Sequence, residues 1–269
     1  MRLANIPAER YKWWAMGALA LGIFAGVLDQ GSLNIALPVI ASHFGTDLPT
    51  SQWVVLGYAL TISAALLPAG RLSDMVGRKR VYLAGLAFLA LGSGLAALAT
   101  SLGLLVFFKV LSGVGAALMY ANNMAIITAI FPGRERGQGL GLMSLMVGAG
   151  SVAAPVVGGA LVTGVGWRAV FVVCLLVSAA ALVAGLAIFE ERRIAPPRSA
   201  SAKRGFDWGG AILSSAALVV VLLALTNANK MGWSSPLIAG GLAGSVALAA
   251  AFVAWELSRR TAMFDLRLF

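Results

Sequence analysis

Two charged residues lie where charge is costly. Asp29 falls within an apolar run at 13–37, and Lys109 within another at 103–131. Read as bilayer spans, the first six apolar runs hold one acid, Asp29, and a carboxylate at such depth costs about 2.5–3.5 kcal/mol on insertion scales. Burial disfavours the charged form of a carboxylate, so a group placed this way can take up a proton and release it as its surroundings open to either side. The plainer alternative is a structural acid paired with a neighbouring helix. Lys109 offers a partner. At about 1.5 Å per residue, Asp29 sits about 13 Å and Lys109 about 9 Å below the outer ends of their runs, depths compatible with contact. Lysine can lose its proton when buried, so Lys109 is either a fixed counter-charge or a group that titrates with Asp29. It can also snorkel outward to the interface.

Other chemistry finds no footing. His43 stands in a short loop with no partner, and Cys174 is a single cysteine inside an apolar run, which argues against disulfides and cysteine-based metal sites. No metal set or nucleophilic triad can be assembled, so neither an enzyme nor a cofactor is expected. The chain has 269 residues, 60% hydrophobic and 11% charged, with mean hydropathy +0.91. A soluble domain carries about 25% charged residues, so this composition describes an integral membrane protein. Thirty-two glycines suit close helix contact in lipid.

Eight apolar segments emerge at 13–37, 52–70, 81–100, 103–131, 138–164, 168–189, 208–228 and 236–256. The first is too long for a signal peptide and holds Asp29, so an uncleaved first helix is expected. Counting Lys and Arg in alternate connections puts 17 of 20 on one side, and the other side holds Arg168 and Lys230. That bias places both termini in the cytoplasm. It also explains a net charge of +10 by topology rather than by nucleic-acid binding. The densest basic stretch, Gly70-Arg71-Leu72-Ser73-Asp74-Met75-Val76-Gly77-Arg78-Lys79-Arg80, reads as a short turn between the second and third spans.

The spacing of Gly70, Asp74, Gly77 and Arg78 resembles the loop signature of the major facilitator superfamily of secondary transporters. Leu28-Asp29 followed by Asn34-Ile35-Ala36-Leu37-Pro38 resembles the helix-one signature of its fourteen-helix drug:proton antiporters. Lys109-Val110-Leu111-Ser112-Gly113-Val114-Gly115 is similar to the family's helix-four motif, with lysine where arginine is usual. Gly150, Ala154, Pro155, Gly158 and Gly159 resemble the antiporter motif of helix five, alanine replacing its second glycine. Gln52-Trp53, Trp167-Arg168 and Phe206-Asp207-Trp208-Gly209 also match family positions.

The resemblance implies an all-α integral membrane fold: a six-helix transporter bundle at 1–189, a cytoplasmic linker at 190–206, and a central pair of transmembrane helices at 207–257. A tail at 258–269 would lead to a C-terminal bundle beyond this chain. The implied function is proton-coupled export of amphipathic or cationic drugs across the cell membrane. Asp29 and Lys109 would couple the proton, Gly70, Asp74, Gly77 and Arg78 would latch the bundles, and Asn34, Tyr58, Met119, Asn122 and Asn123 would line the substrate cavity. The expected partners are a small-molecule substrate, protons, lipid, and a second half-transporter or another copy. Two alternatives stay open: a carrier of another solute, or a non-transporting half-subunit.

Overall fold

The computed structural model describes residues 7–195 and 207–258, and among them every regular element is helical. The helices are α1 Ala8–Phe44, α2 Leu48–Ser51, α3 Trp53–Val76, α4 Arg78–Ala97, α5 Leu102–Ile130, α6 Arg136–Gly164, α7 Arg168–Ile188, α8 Glu191–Ile194, α9 Trp208–Met231 and α10 Pro236–Ser258. Eight are long and apolar enough to cross a membrane, matching the eight segments read from sequence. Local chemistry sets their ends. Ser101 caps α5 by accepting from the Leu104 N–H, Asp207 caps α9 through the Gly210 N–H, and Gly45 closes α1 in the left-handed region at φ 62°.

One expectation is corrected here. The basic stretch is not a loop: helix α3 runs through Val76, α4 begins at Arg78, and Gly77 alone breaks the path. Its φ of 112° lies where side chains are strained, and a Cβ there would stand 2.6 Å from Glu191 Oε1. Charge did not end the helix here, because a helix can carry charged residues beyond its apolar stretch. The proposed linker is described only to Ala195, with α8 inside it; residues 196–206 of the linker and 259–269 of the tail lie outside the described residues.

Six long helices form the bundle. Helix α5 packs between α3 and α4, α1 packs between α6 and α7, and α4 against α7 joins the two groups. Small residues set the closest approach: a Cβ on Gly115 of α5 would lie 2.5 Å from Leu89 N and 2.6 Å from Gly85 O of α4. An apolar core around Leu19, Tyr82, Leu86, Met119 and Phe189 fills the basic end. A second, around Leu33, Ile40, Val54, Leu105 and Phe171, fills the other. The remaining two long helices form a hairpin that docks on α3 through α9, where Ser215 Oγ donates to Ala64 O at 2.7 Å.

Candidate functional site

Asp29 lies between the two cores. Its Oδ2 is 2.6 Å from Lys109 Nζ, and neither side chain has any exposed surface. The depths estimated from sequence are thus close enough for the two side chains to meet. Ser93 of α4 donates to the other carboxylate oxygen at 3.3 Å. It can reach because Gly92 packs directly on Ser112 of α5. The Tyr58 ring of α3 covers the ammonium at 4.3 Å and Phe171 of α7 lies at 5.8 Å. Cys174, also on α7, is buried beside Leu28 and Ala154. Three helices, α3, α4 and α7, thus enclose an ion pair carried by α1 and α5. Isolated charges here would be costly; mutual attraction and the extra hydrogen bond offset the desolvation.

The glycine- and proline-bearing segment of α6 packs on the same stretch of α1. A Cβ on Gly150 would stand 2.9 Å from Val27 Cγ1, and one on Gly158 would stand 3.0 Å from Ser32. Ala154 occupies the space left by Gly31, where an added Cβ would meet its own at 2.5 Å. That fit accounts for alanine in a motif that usually holds glycine. Ser32 Oγ donates to Ala154 O at 3.1 Å, three residues from the ion pair. Pro155 lies inside α6 on its exposed side, and Gly159 has open space beside it.

At the basic end, Asp74 reaches Arg78 only at 4.0 Å and is largely exposed, so this pair alone contributes little. Arg78 is held more firmly by carbonyls, donating to Ala125 O at 3.1 Å and Ile194 O at 3.3 Å. Lys79 donates to Phe189 O at the C-terminus of α7, where the helix dipole favours a cation. Lys12 joins Glu135 at 2.7 Å, and the Glu190 N–H donates to the Tyr11 hydroxyl. Gly70, Asp74, Arg78 and Asn122 line one open cavity of ≈ 520 Å³.

Of the residues read as cavity-lining, Tyr58, Met119, Asn122 and Asn123 are buried within the bundle, and Asn34 is exposed. Asn122 is fully engaged, accepting from Ser73 and donating to Leu118 O. Asn34 shares an exposed edge of α1 with Gln30, one turn earlier. Sequence reading missed Ser93, Phe171, Lys12, Glu135 and Glu191. Ser93, flanked by Gly92 and Gly94, carried the one available hint, since small residues mark close helix contact.

The model of the Major Facilitator Superfamily matches residues 19–266. The chain belongs to that superfamily. Its eight membrane-capable helices fit a multi-pass membrane protein of that family of transporters. It is 34% identical to the tetracenomycin C resistance and export protein of Streptomyces glaucescens, over 96% of this chain and 48% of the relative. It is 30% identical to the riboflavin transporter RibZ of Clostridioides difficile, over 80% of this chain and 46% of that protein. The chain therefore spans about half the length of the curated relatives it matches. A crystal structure of peptide transporter POT in complex with sulfate superposes with TM-score 0.62 at 16% identity, over 93% of this chain and 55% of that one. At that identity the likeness speaks for the fold alone.

Proposed function

We propose that this chain forms the N-terminal part of a proton-driven exporter of amphipathic drugs, cationic ones among them. The observation that carries the reading is the sealed Asp29–Lys109 pair, a titratable acid held at membrane depth with a partner that compensates its charge. In an alternating-access cycle, Asp29 takes a proton from the outside and the pair loosens. The proton leaves toward the cytoplasm as substrate binds from that side, and the next proton from outside displaces the substrate outward. The Gly150–Gly159 segment packs on α1 beside Asp29 and would pass α1 movement to α6. Gly70, Asp74, Gly77 and Arg78 would latch the bundle against a second one, completing a fourteen-helix carrier with both termini in the cytoplasm and the cell membrane as its site. That second bundle would come from the same polypeptide, another half-transporter or another copy.

The relative named for tetracenomycin C resistance and export supports the drug-export reading. The test is transport by the intact protein in proteoliposomes under an imposed pH gradient. Gradient-dependent extrusion that Asp29→Asn abolishes supports the proposal; equal extrusion with and without a gradient sinks it. A second reading, a carrier of a metabolite, draws on the riboflavin-named relative and on the uncharged edge Gln30–Asn34. Solute uptake without drug resistance in expressing cells would favour it.

A further inference from the structure

Lys109 is held from two sides. Its ammonium touches Asp29 at 2.6 Å, and the Tyr58 ring centre lies 4.3 Å away on another side. Asp29, Lys109 and Tyr58 are each fully buried, so water does not share the charge. The Tyr58 hydroxyl points away from the ion pair's hydrogen bonds and lies beside Tyr120. What Tyr58 supplies to the site is the face of its ring.

That face matters most in the protonated half of a cycle. While Asp29 is ionised, the ammonium has its anion. When a proton from solvent lands on the carboxylate, Lys109 becomes a cation with no anion and no water. The titratable groups around it are Asp29 from α1, Tyr58 from α3, Tyr120 from α5 itself and Cys174 from α7, while α4 contributes the uncharged Ser93. None of them supplies a replacement anion. If Lys109 then gave up its own proton, the pair would hold as many protons as before, and no net proton would be carried.

We propose that the Tyr58 ring is a positioning residue that keeps Lys109 protonated while Asp29 carries its proton. The negative face of an aromatic ring attracts a cation, and more strongly when both are desolvated. Asp29 gains one proton, Lys109 keeps its three N–H bonds, and the site as a whole gains one positive charge. The inference rests on the proton-coupled reading above and adds the residue that makes loading productive.

The experiment measures the pH midpoint of substrate export by the intact transporter in proteoliposomes. Tyr58→Phe, which keeps the ring, is expected to keep the parental midpoint. Tyr58→Leu is expected to shift it by about one unit to the acid side, because without the ring the neutral pair, with Asp29 protonated and Lys109 deprotonated, displaces the ion pair and must be protonated in its place. Should leucine impair expression, Tyr58→Met removes the face and gives the same readout. Lys109→Arg added to Tyr58→Leu is expected to restore the midpoint, since a guanidinium stays charged without help. An unshifted midpoint in Tyr58→Leu at equal expression overturns the proposal. So does a shift that Lys109→Arg leaves in place. PH dependence that survives Asp29→Asn is a different result, which removes the coupling reading itself.

Discussion

Replacing Lys109 by methionine leaves a carboxylate with no cation in a place with no water. The side chains fill similar volumes, so packing changes little and the electrostatic loss dominates. Both partners are fully buried at 2.6 Å, the geometry in which removing one member of a buried pair costs about 3–5 kcal/mol. For a helical chain of this size each kcal/mol moves Tm by about 2–4 °C, so a fall of about 10 °C is expected. The assay is built into the chain. Cys174 is its single cysteine and is buried, so a thiol-reactive dye in detergent reports when the core opens. Asp29→Asn combined with Lys109→Met is expected to recover most of the loss, because the buried charge is then gone from both sides. Acidification is also expected to narrow the deficit of Lys109→Met alone, since a proton neutralises the orphaned acid. A fall equal in the single and double variants, or one under about 2 °C, would refute the reasoning and make the pair incidental to stability.

Three further outcomes follow from the packing. Gly115→Val should destabilise the protein by about 1–3 kcal/mol or more, because its Cβ would stand 2.5 Å from backbone at Leu89, read as early dye labelling and poor monodispersity. Gly77→Ala should cost about 1–3 kcal/mol from backbone strain and displace Glu191, which limited proteolysis after α7 would register as faster cleavage. Ser32→Ala should lower stability by about 0.5–1.5 kcal/mol, seen as a Tm drop of a few degrees, through loss of the bond to Ala154 O.

The spans and the central ion pair were legible in the sequence because both follow from one physical rule. Charge in lipid is costly, so runs without it are helices and exceptions to it find each other. Depth arithmetic could bring Asp29 and Lys109 within reach of each other, since helices rise by a fixed step per residue. It could not say which other side chains surround them. Helices apolar on nearly every side give no amphipathic stripe to fix their rotation, so the turning of Tyr58, Ser93 and Phe171 toward Lys109 emerges only from packing.

The same limit explains the polar residues of α5. Asn122 and Asn123 were expected to face an interior, and both are buried, Asn122 at the edge of the open cavity with its side chain tied to Ser73 and Leu118 O. At the basic end the sequence placed a break between two spans and missed the ties across it. Lys12 meets Glu135, and Gly77 meets Glu191, over separations that no local pattern connects.

The most direct test of the central claim is a proton count. Substrate is added to the purified intact transporter in unbuffered detergent solution, and the pH change is read against a calibrated pulse of acid. If Asp29 exchanges its proton against substrate, binding releases protons at a pH where the carboxyl is loaded, and Asp29→Asn binds substrate with no release. Proton release of the same size from Asp29→Asn, or binding by the parent with none at any pH, would contradict the account.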